Sequence, residues 1–72
     1  MDIDNLTKMA NNIGTFFESE PDHEAAVTGI VQHITRFWEP RMRKQIITYV
    51  EQDGANLLAL VKEAVQRLPK PD

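Results

Sequence analysis

The chain has 72 residues, of which 42% are hydrophobic and 26% are charged, and its net charge is −3 at pH 7. A chain of this size forms at most one small domain, and the composition is that of a soluble globular protein and not of a disordered one. The lack of cysteine excludes disulfides and thiolate metal sites, and the acidic balance disfavours nucleic-acid binding.

No apolar run approaches the ~20 residues that a membrane span needs, so no membrane partner is expected. The first residues, Met1-Asp2-Ile3-Asp4, are acidic where a secretory signal would be basic. We therefore expect a cytoplasmic protein.

The first helix is predicted over residues 3–17, where apolar side chains recur every three or four positions. Asp2 or Asp4 can cap its free N–H groups. Gly14 is either merely tolerated in this helix or marks the close approach of a neighbouring helix. Pro21 ends the helix, because the residue before a proline is pushed out of the helical region.

The second helix is predicted over residues 23–38, with Asp22 as its cap. Pro40 cannot donate to a helix hydrogen bond but suits the first turn of a new helix. We favour a break at Glu39-Pro40 followed by a third helix over residues 41–52, and one long helix kinked at Pro40 is the alternative.

Asp53-Gly54 is a stop signal for the third helix, since glycine readily adopts the left-handed conformation found at helix ends. A fourth helix is predicted over residues 57–68, and Asn56 can cap it. Residues 1–68 are expected to form a single helical domain, and residues 69–72 a frayed C-terminal tail.

The apolar faces of the four helices are predicted to form the core. In the first two helices they comprise Ile3, Leu6, Met9, Ala10, Ile13, Phe16, Phe17, Val27, Ile30, Val31, Ile34, Phe37 and Trp38. In the last two they comprise Met42, Ile46, Tyr49, Val50, Leu57, Leu58, Val61, Ala64, Val65 and Leu68, with Ile47 at the edge. The sequence thus predicts an all-α fold, a small bundle of three to four short amphipathic helices.

Side chains suited to catalysis are few. Ser19 is the only serine, lies between two glutamates, and has no histidine pattern around it. His23 and His33 would lie about 15 Å apart along one helix, so they cannot share a metal ion in a monomer. The glycines are isolated, so no glycine-rich phosphate loop is present. We therefore expect no enzyme activity and no metal site.

A basic and aromatic segment, residues 33–44, is the strongest candidate for function. Its candidate partner-binding residues are His33, Arg36, Phe37, Trp38, Glu39, Pro40, Arg41, Arg43 and Lys44. Arg41, Arg43 and Lys44 place positive charge at the positive end of the third helix, where each exposed charge costs roughly 0.3–1 kcal/mol.

Two interpretations of residues 33–44 are open. In one, the basic residues form a solvated face and Trp38 lies in the core. In the other, which we favour, the segment faces outward and docks on a carboxylate-rich partner or an anion. Arginine pairs bidentately with carboxylate or phosphate, and tryptophan with arginine is common at interface hot spots.

The segment Arg36-Phe-Trp-Glu-Pro-Arg-Met-Arg43 resembles the signature segment of the delta subunit of NAD-dependent, molybdenum-containing formate dehydrogenase. Leu6-Thr-Lys-Met-Ala-Asn-Asn-Ile-Gly14 with Phe16-Phe17 is similar to the opening helix of that family. Ala26-Val-Thr-Gly-Ile30 with His33, and residues 57–68, match it too, so the similarity covers nearly the whole chain. Glu39 stands where aspartate is expected, and the turn Asp53-Gly-Ala-Asn56 differs from the glycine-rich turn of the family.

The resemblance implies a cofactor-free accessory subunit associated with assembly or stability of an enzyme whose larger subunits carry the molybdopterin, iron–sulfur clusters and flavin. We expect it to dock on one of those subunits, first of all the catalytic molybdenum subunit, through residues 33–44. The alternative is a module that binds an anion or phosphate, as in a nucleotide or molybdopterin. A DNA-binding regulator is disfavoured by the acidic balance, and self-association stays open.

Overall fold

The computed structural model of the protein describes residues 2–71. Within that range the chain forms four α-helices and no strand: α1 Ile3–Phe17, α2 His23–Phe37, α3 Pro40–Gln52 and α4 Ala59–Gln66. The prediction of a small all-α bundle is confirmed. No helix in residues 2–71 combines the length and the apolar character needed to cross a bilayer.

The ends of the first three helices follow local signals in the sequence. The Asp2 carboxylate accepts from the Asp4 N–H at 3.1 Å, and the Asp22 carboxylate accepts from the Glu24 N–H at 3.0 Å. After α3, Gly54 has a φ of 71°, and its N–H donates to the Tyr49 carbonyl at 2.9 Å. Both predicted aspartate caps and the glycine stop are confirmed.

The chain breaks between α2 and α3. Trp38 and Glu39 are extended, with ψ values of 138° and 154°, and Pro40 is the first residue of α3. The proline ring fixes φ near the helical value and needs no hydrogen-bond acceptor at this position. The predicted break is confirmed, and the kinked continuous helix is excluded.

The prediction for the last helix, residues 57–68, extends too far at both ends, since α4 ends at Gln66. α4 begins at Ala59 and not at residue 57, and Asn56 does not cap it but adopts a left-handed φ of 69°. The Asn11 side chain of α1 holds this turn instead: its Oδ1 accepts from the Leu58 N–H at 3.0 Å, and its Nδ2 donates to the Asn56 carbonyl at 2.8 Å. A side chain from a distant helix thus fixes the turn before α4, and α4 itself begins without a side-chain cap.

The core is shared by all four helices. α1 and α4 each pack against the other three, whereas α2 and α3 make little contact beyond the turn that joins them. The largest fully buried side chains are Leu6, Val27, Ile30, Ile34, Ile46, Val61 and Val65. Ile47, predicted at the edge, is buried as well.

Two glycines allow close contact between helices. A Cβ at Gly14 would lie 2.5 Å from Val61 Cγ2, so α1 and α4 meet there without room for a side chain. A Cβ at Gly29 would lie 2.4 Å from a ring carbon of Phe17. The interpretation of Gly14 as a site of close approach is confirmed.

Two phenylalanines predicted in the core are exposed. Phe16 is 74% exposed and Phe37 is 67% exposed, so both predictions are wrong. Neighbouring residues on a helix point about 100° apart, so of an adjacent aromatic pair only one can face the core fully. Phe17 and Trp38 take the inner positions, and Phe16 and Phe37 are turned outward.

The predicted domain limits include Met1 and Asp72, which lie outside the described residues. Within the predicted tail, Lys70 Nζ lies 2.9 Å from the Glu51 carboxylate of α3, and both side chains are mostly exposed.

Candidate interaction surface

Trp38 belongs to the core. Only 5% of its surface is exposed, and its N–H donates to the Ile34 carbonyl at 2.9 Å. The expectation of an outward-facing tryptophan is wrong, and the interpretation that places Trp38 in the core is confirmed. The extended backbone at residue 38 turns the indole inward where α2 ends.

Arg43 fastens α3 to the end of α2. Its Nη1 donates to the Trp38 carbonyl at 2.6 Å and lies 3.5 Å from the Thr35 carbonyl. The last carbonyls of a helix have no partner within the helix, and a cation is favourable beside them. The positive charge of Arg43 at the start of α3 is therefore explained by the negative end of α2.

Three cations of the segment have no such partner. Arg36, Arg41 and Lys44 are exposed, and no carboxylate in residues 2–71 forms an ion pair with any of them. The Glu39 carbonyl accepts from the Arg43 N–H at 3.0 Å, but the Glu39 side chain makes no capping bond to α3. The guanidinium groups of Arg36 and Arg41 are thus available to a carboxylate from another molecule.

A shallow groove of about 460 Å³ runs along α3 beside two of these cations. Its lining includes Arg41, Lys44, Thr48 and Tyr49 of α3, together with Ile3 of α1. Tyr49 forms a fixed wall, because its hydroxyl donates to the Ala55 carbonyl at 2.8 Å. A mostly apolar groove with cations at its edge suits an acidic peptide segment.

A second exposed feature is an aromatic strip formed by Phe16, Phe17, His33 and Phe37. The Phe16 and Phe17 rings meet edge to face with centroids 5.1 Å apart, and the His33 and Phe37 rings lie 4.9 Å apart. Both phenylalanines of α1 line one small groove with His33 and Ile13. The exposure of Phe16 was not predicted from the sequence, and its adjacency to Phe17 was the signal that could have indicated it.

The candidate residues 33–44 therefore fall into three groups. His33, Arg36 and Phe37 lie at the surface of α2, and Arg41 and Lys44 lie at the surface of α3. Trp38 and Arg43 build the junction between the two helices, where Glu39 and Pro40 are exposed. No group of three side chains suited to holding a metal ion occurs in residues 2–71.

Comparison with known proteins identifies one family. The sequence model described as NADH-dependent formate dehydrogenase delta subunit FdsD matches residues 5–65 of the chain. This match covers all of α2 and α3 and nearly all of α1 and α4. No curated protein and no solved structure shows significant similarity to the chain.

Proposed function

Because the chain belongs to the FdsD family, the delta subunits of NADH-dependent formate dehydrogenases, we propose that it is a non-catalytic accessory subunit that assembles or stabilises the enzyme complex. The partners are the larger formate dehydrogenase subunits, first among them the catalytic molybdenum subunit. The proposal includes a cytoplasmic location and no cofactor bound to this chain.

The proposed docking site is the segment 33–44, and the unpaired cations carry the argument. Arg36, Arg41 and Lys44 stand within nine residues and have no carboxylate partner in residues 2–71. An exposed basic group beside an apolar groove favours a partner surface that offers carboxylates. Arginine pairs bidentately with carboxylates and is enriched among the residues that contribute most to such interfaces.

Trp38 and Arg43 support docking indirectly, because they fix the junction from which the exposed cations project. Trp38→Ala would remove a buried aromatic side chain at a cost of about 3–5 kcal/mol. That loss is comparable to the whole stability of many small domains. This variant would report on folding and not on docking.

The docking proposal is tested by affinity capture of the larger formate dehydrogenase subunits from cells that express them with a tagged form of this chain. We expect Arg41→Glu combined with Lys44→Glu to reduce the recovered enzyme subunits about ten-fold, because two attractive contacts become repulsive. Both side chains are exposed, so the variant should melt within a few degrees of the unmodified protein.

Lys8→Glu is the matched control, since Lys8 is an exposed cation of α1 without an ion pair in residues 2–71. It should recover as much enzyme as the unmodified chain. Equal recovery by the Arg41/Lys44 variant would remove the docking claim.

The alternative function is binding of an anion or phosphate, such as a nucleotide or molybdopterin. One observation favours it: α3 begins without a side-chain cap, so its free N–H groups point out beside Arg41. Calorimetric titration with nucleotides and pterin phosphates decides between the two. Heat of binding that Arg41→Glu abolishes would support the alternative, and flat traces would leave the protein partner.

A further inference from the structure

The aromatic strip carries opposite charges at its two ends. At one end, Glu20 lines a groove together with Phe16 and Phe17. At the other end, the Arg36 guanidinium lies 5.9 Å from the centroid of the Phe37 ring. Both charged side chains are exposed, and neither forms an ion pair in residues 2–71.

These two charges cannot pair with each other within one molecule. Glu20 precedes α2 and Arg36 lies in its last turn, so the whole length of α2 separates them. A helix of 15 residues is about 22 Å long. Each charge therefore needs a partner from another molecule or remains solvated.

The apolar part of the strip is continuous between the two charges. Phe17 lies against Gly29 and shares a groove with His33, and the His33 ring continues to Phe37. Phe16 and Phe37 are both largely exposed, and contiguous exposed apolar surface is typical of interaction sites.

An acid, an apolar centre and a base in a row form a pattern that is complementary to itself. A two-fold rotation about an axis through the centre of the strip places the acid of each copy on the base of the other. We propose that a second copy of this chain covers the aromatic strip, forming a two-fold dimer in which Glu20 of each copy faces Arg36 of the other.

We expect the dimer to be weak. A stable interface buries about 800 Å² per partner, which would be roughly a sixth of the 4677 Å² that this chain exposes. For a strip of four aromatic side chains with one charge at each end, we expect a smaller interface and a dissociation constant in about the micromolar to millimolar range. Arg41 and Lys44 of the docking groove lie outside the strip, whereas His33, Arg36 and Phe37 of the proposed docking segment lie within it. Dimerisation and docking through these three residues therefore exclude each other.

Sedimentation velocity on the full chain at low ionic strength tests the proposal with a charge exchange. Arg36→Glu alone and Glu20→Arg alone each turn both ion pairs into like-charge contacts, so each variant should raise the dimer dissociation constant about ten-fold. Mixed in equal amounts, the two variants regain two opposite-charge pairs. The mixture should associate within about three-fold of the unmodified protein.

Lys8→Glu again serves as the control and should dimerise as the unmodified chain does. Dilution of the unmodified protein, followed by NMR, provides a test without variants: the signals of Phe16, His33 and Phe37 should shift together with concentration. A protein that stays monomeric up to about 1 mM, or a mixture of variants that fails to associate, would overturn the proposal. The experiment uses this chain alone, so its failure would leave the proposed docking on formate dehydrogenase untouched.

Discussion

At Gly14 the absence of a side chain determines how closely α1 and α4 pack. Val61 is fully buried, and its Cγ2 would lie 2.5 Å from an added Cβ. Gly14→Ala would gain about 1 kcal/mol in helix propensity but would cost about 1–3 kcal/mol in overpacking, because valine is stiff about χ1. We expect a net loss of stability, measured as a lower midpoint in urea unfolding.

Gly29→Ala is the variant to compare with Gly14→Ala, because it also adds a Cβ at a close contact between helices. Its Cβ would meet the outer carbons of the Phe17 ring, which sits at a half-exposed edge and can swing away. Here the gain in helix propensity offsets the cost of moving the ring, so the midpoint should stay close to that of the unmodified protein. If both variants lost the same stability, the contact between Gly14 and Val61 would not be the cause of the loss in Gly14→Ala.

Asn11 holds the turn before α4 with two hydrogen bonds from a single side chain. A hydrogen bond contributes a net 0.5–1.5 kcal/mol, so Asn11→Ala should cost about 1–2 kcal/mol of unfolding free energy. Thermal melting would show this as a drop of several degrees, since about 1 kcal/mol corresponds to 4–8 °C in a domain of this size.

Asn12→Ala provides the matched control for this loss. Asn12 is exposed on the same helix, and its side chain makes no hydrogen bond in residues 2–71. Alanine has the higher helix propensity, so this variant should be neutral or slightly stabilised. Equal melting of the two variants would mean that Asn11 does not secure the start of α4.

At the α2–α3 junction, two arginines that the sequence alone does not distinguish have different contacts. Arg43 donates to the Trp38 carbonyl, whereas Arg41 is exposed and makes no ion pair in the described chain. Hydrogen bonds from charged groups contribute about 1.5–3 kcal/mol. Arg43→Met should therefore destabilise the protein by about 1–2 kcal/mol, and Arg41→Met should leave its stability unchanged within about 0.5 kcal/mol.

The measurement is chemical unfolding of both variants, combined with capture of the enzyme subunits. The docking proposal predicts the opposite order in the second assay, with the larger loss for Arg41→Met at a temperature where both variants are folded. A stable Arg43→Met variant would contradict the role of Arg43 as a cap of α2.

The helix boundaries that could be predicted depend on neighbours in the sequence. Asp2, Asp22 and Pro40 act on groups within four positions, so their effects are visible without the fold. The start of α4 depends on Asn11, which lies 47 positions before the Leu58 amide that it binds. Nothing local to Asn56 indicates that a distant side chain fixes this turn and that α4 begins without a side-chain cap.

The candidate surface was harder to predict than the helices. Periodicity assigns Phe37 and Trp38 to one broad face, but which of them is buried depends on where α2 ends and on where α4 lies. In the same way, the charge of Arg43 opposes the dipole of its own helix and complements that of α2. The favourable interaction of Arg43 with the end of α2 becomes visible only when the packing of α2 and α3 is known.

On the scale of the whole molecule, the two ends of α2 differ in charge pairing: the charges at its start form ion pairs, and the charge at its end does not. At its start, His23 contacts Glu63 of α4, and Glu24 pairs with Arg67, which directly follows α4. The Arg67 guanidinium lies 2.8 and 2.9 Å from the two Glu24 oxygens. At its end, Arg36 has no ion pair in residues 2–71. The ion pairs at the start of α2 connect it to α4, and the end of α2 with the unpaired Arg36 is the one we assign to binding.

The ion pairs at the start of α2 should make stability depend on pH under acidic conditions. The hydrogen bond and the charge of Arg67 lower the pKa of Glu24 below its usual value of 4.5. The unfolded chain therefore binds a proton at Glu24 before the folded chain does. The stabilisation that the Glu24–Arg67 pair gives the folded protein is complete above pH 4.5 and is lost as the pH falls through the lower pKa of Glu24 in the folded state.

Glu24→Gln removes this contribution, so stability against pH should fall less steeply below pH 4.5 than in the unmodified protein. Both partners are exposed, so the difference should be small and should vanish in about 1 M salt, where screening is strong. Glu18→Gln is the control, because Glu18 is exposed without an ion pair in the described residues, so this variant removes a carboxylate without breaking a pair. Urea unfolding at a series of pH values measures both slopes. Identical curves for Glu24→Gln and Glu18→Gln would show that the pair of Glu24 and Arg67 does not hold α2 to α4 in solution.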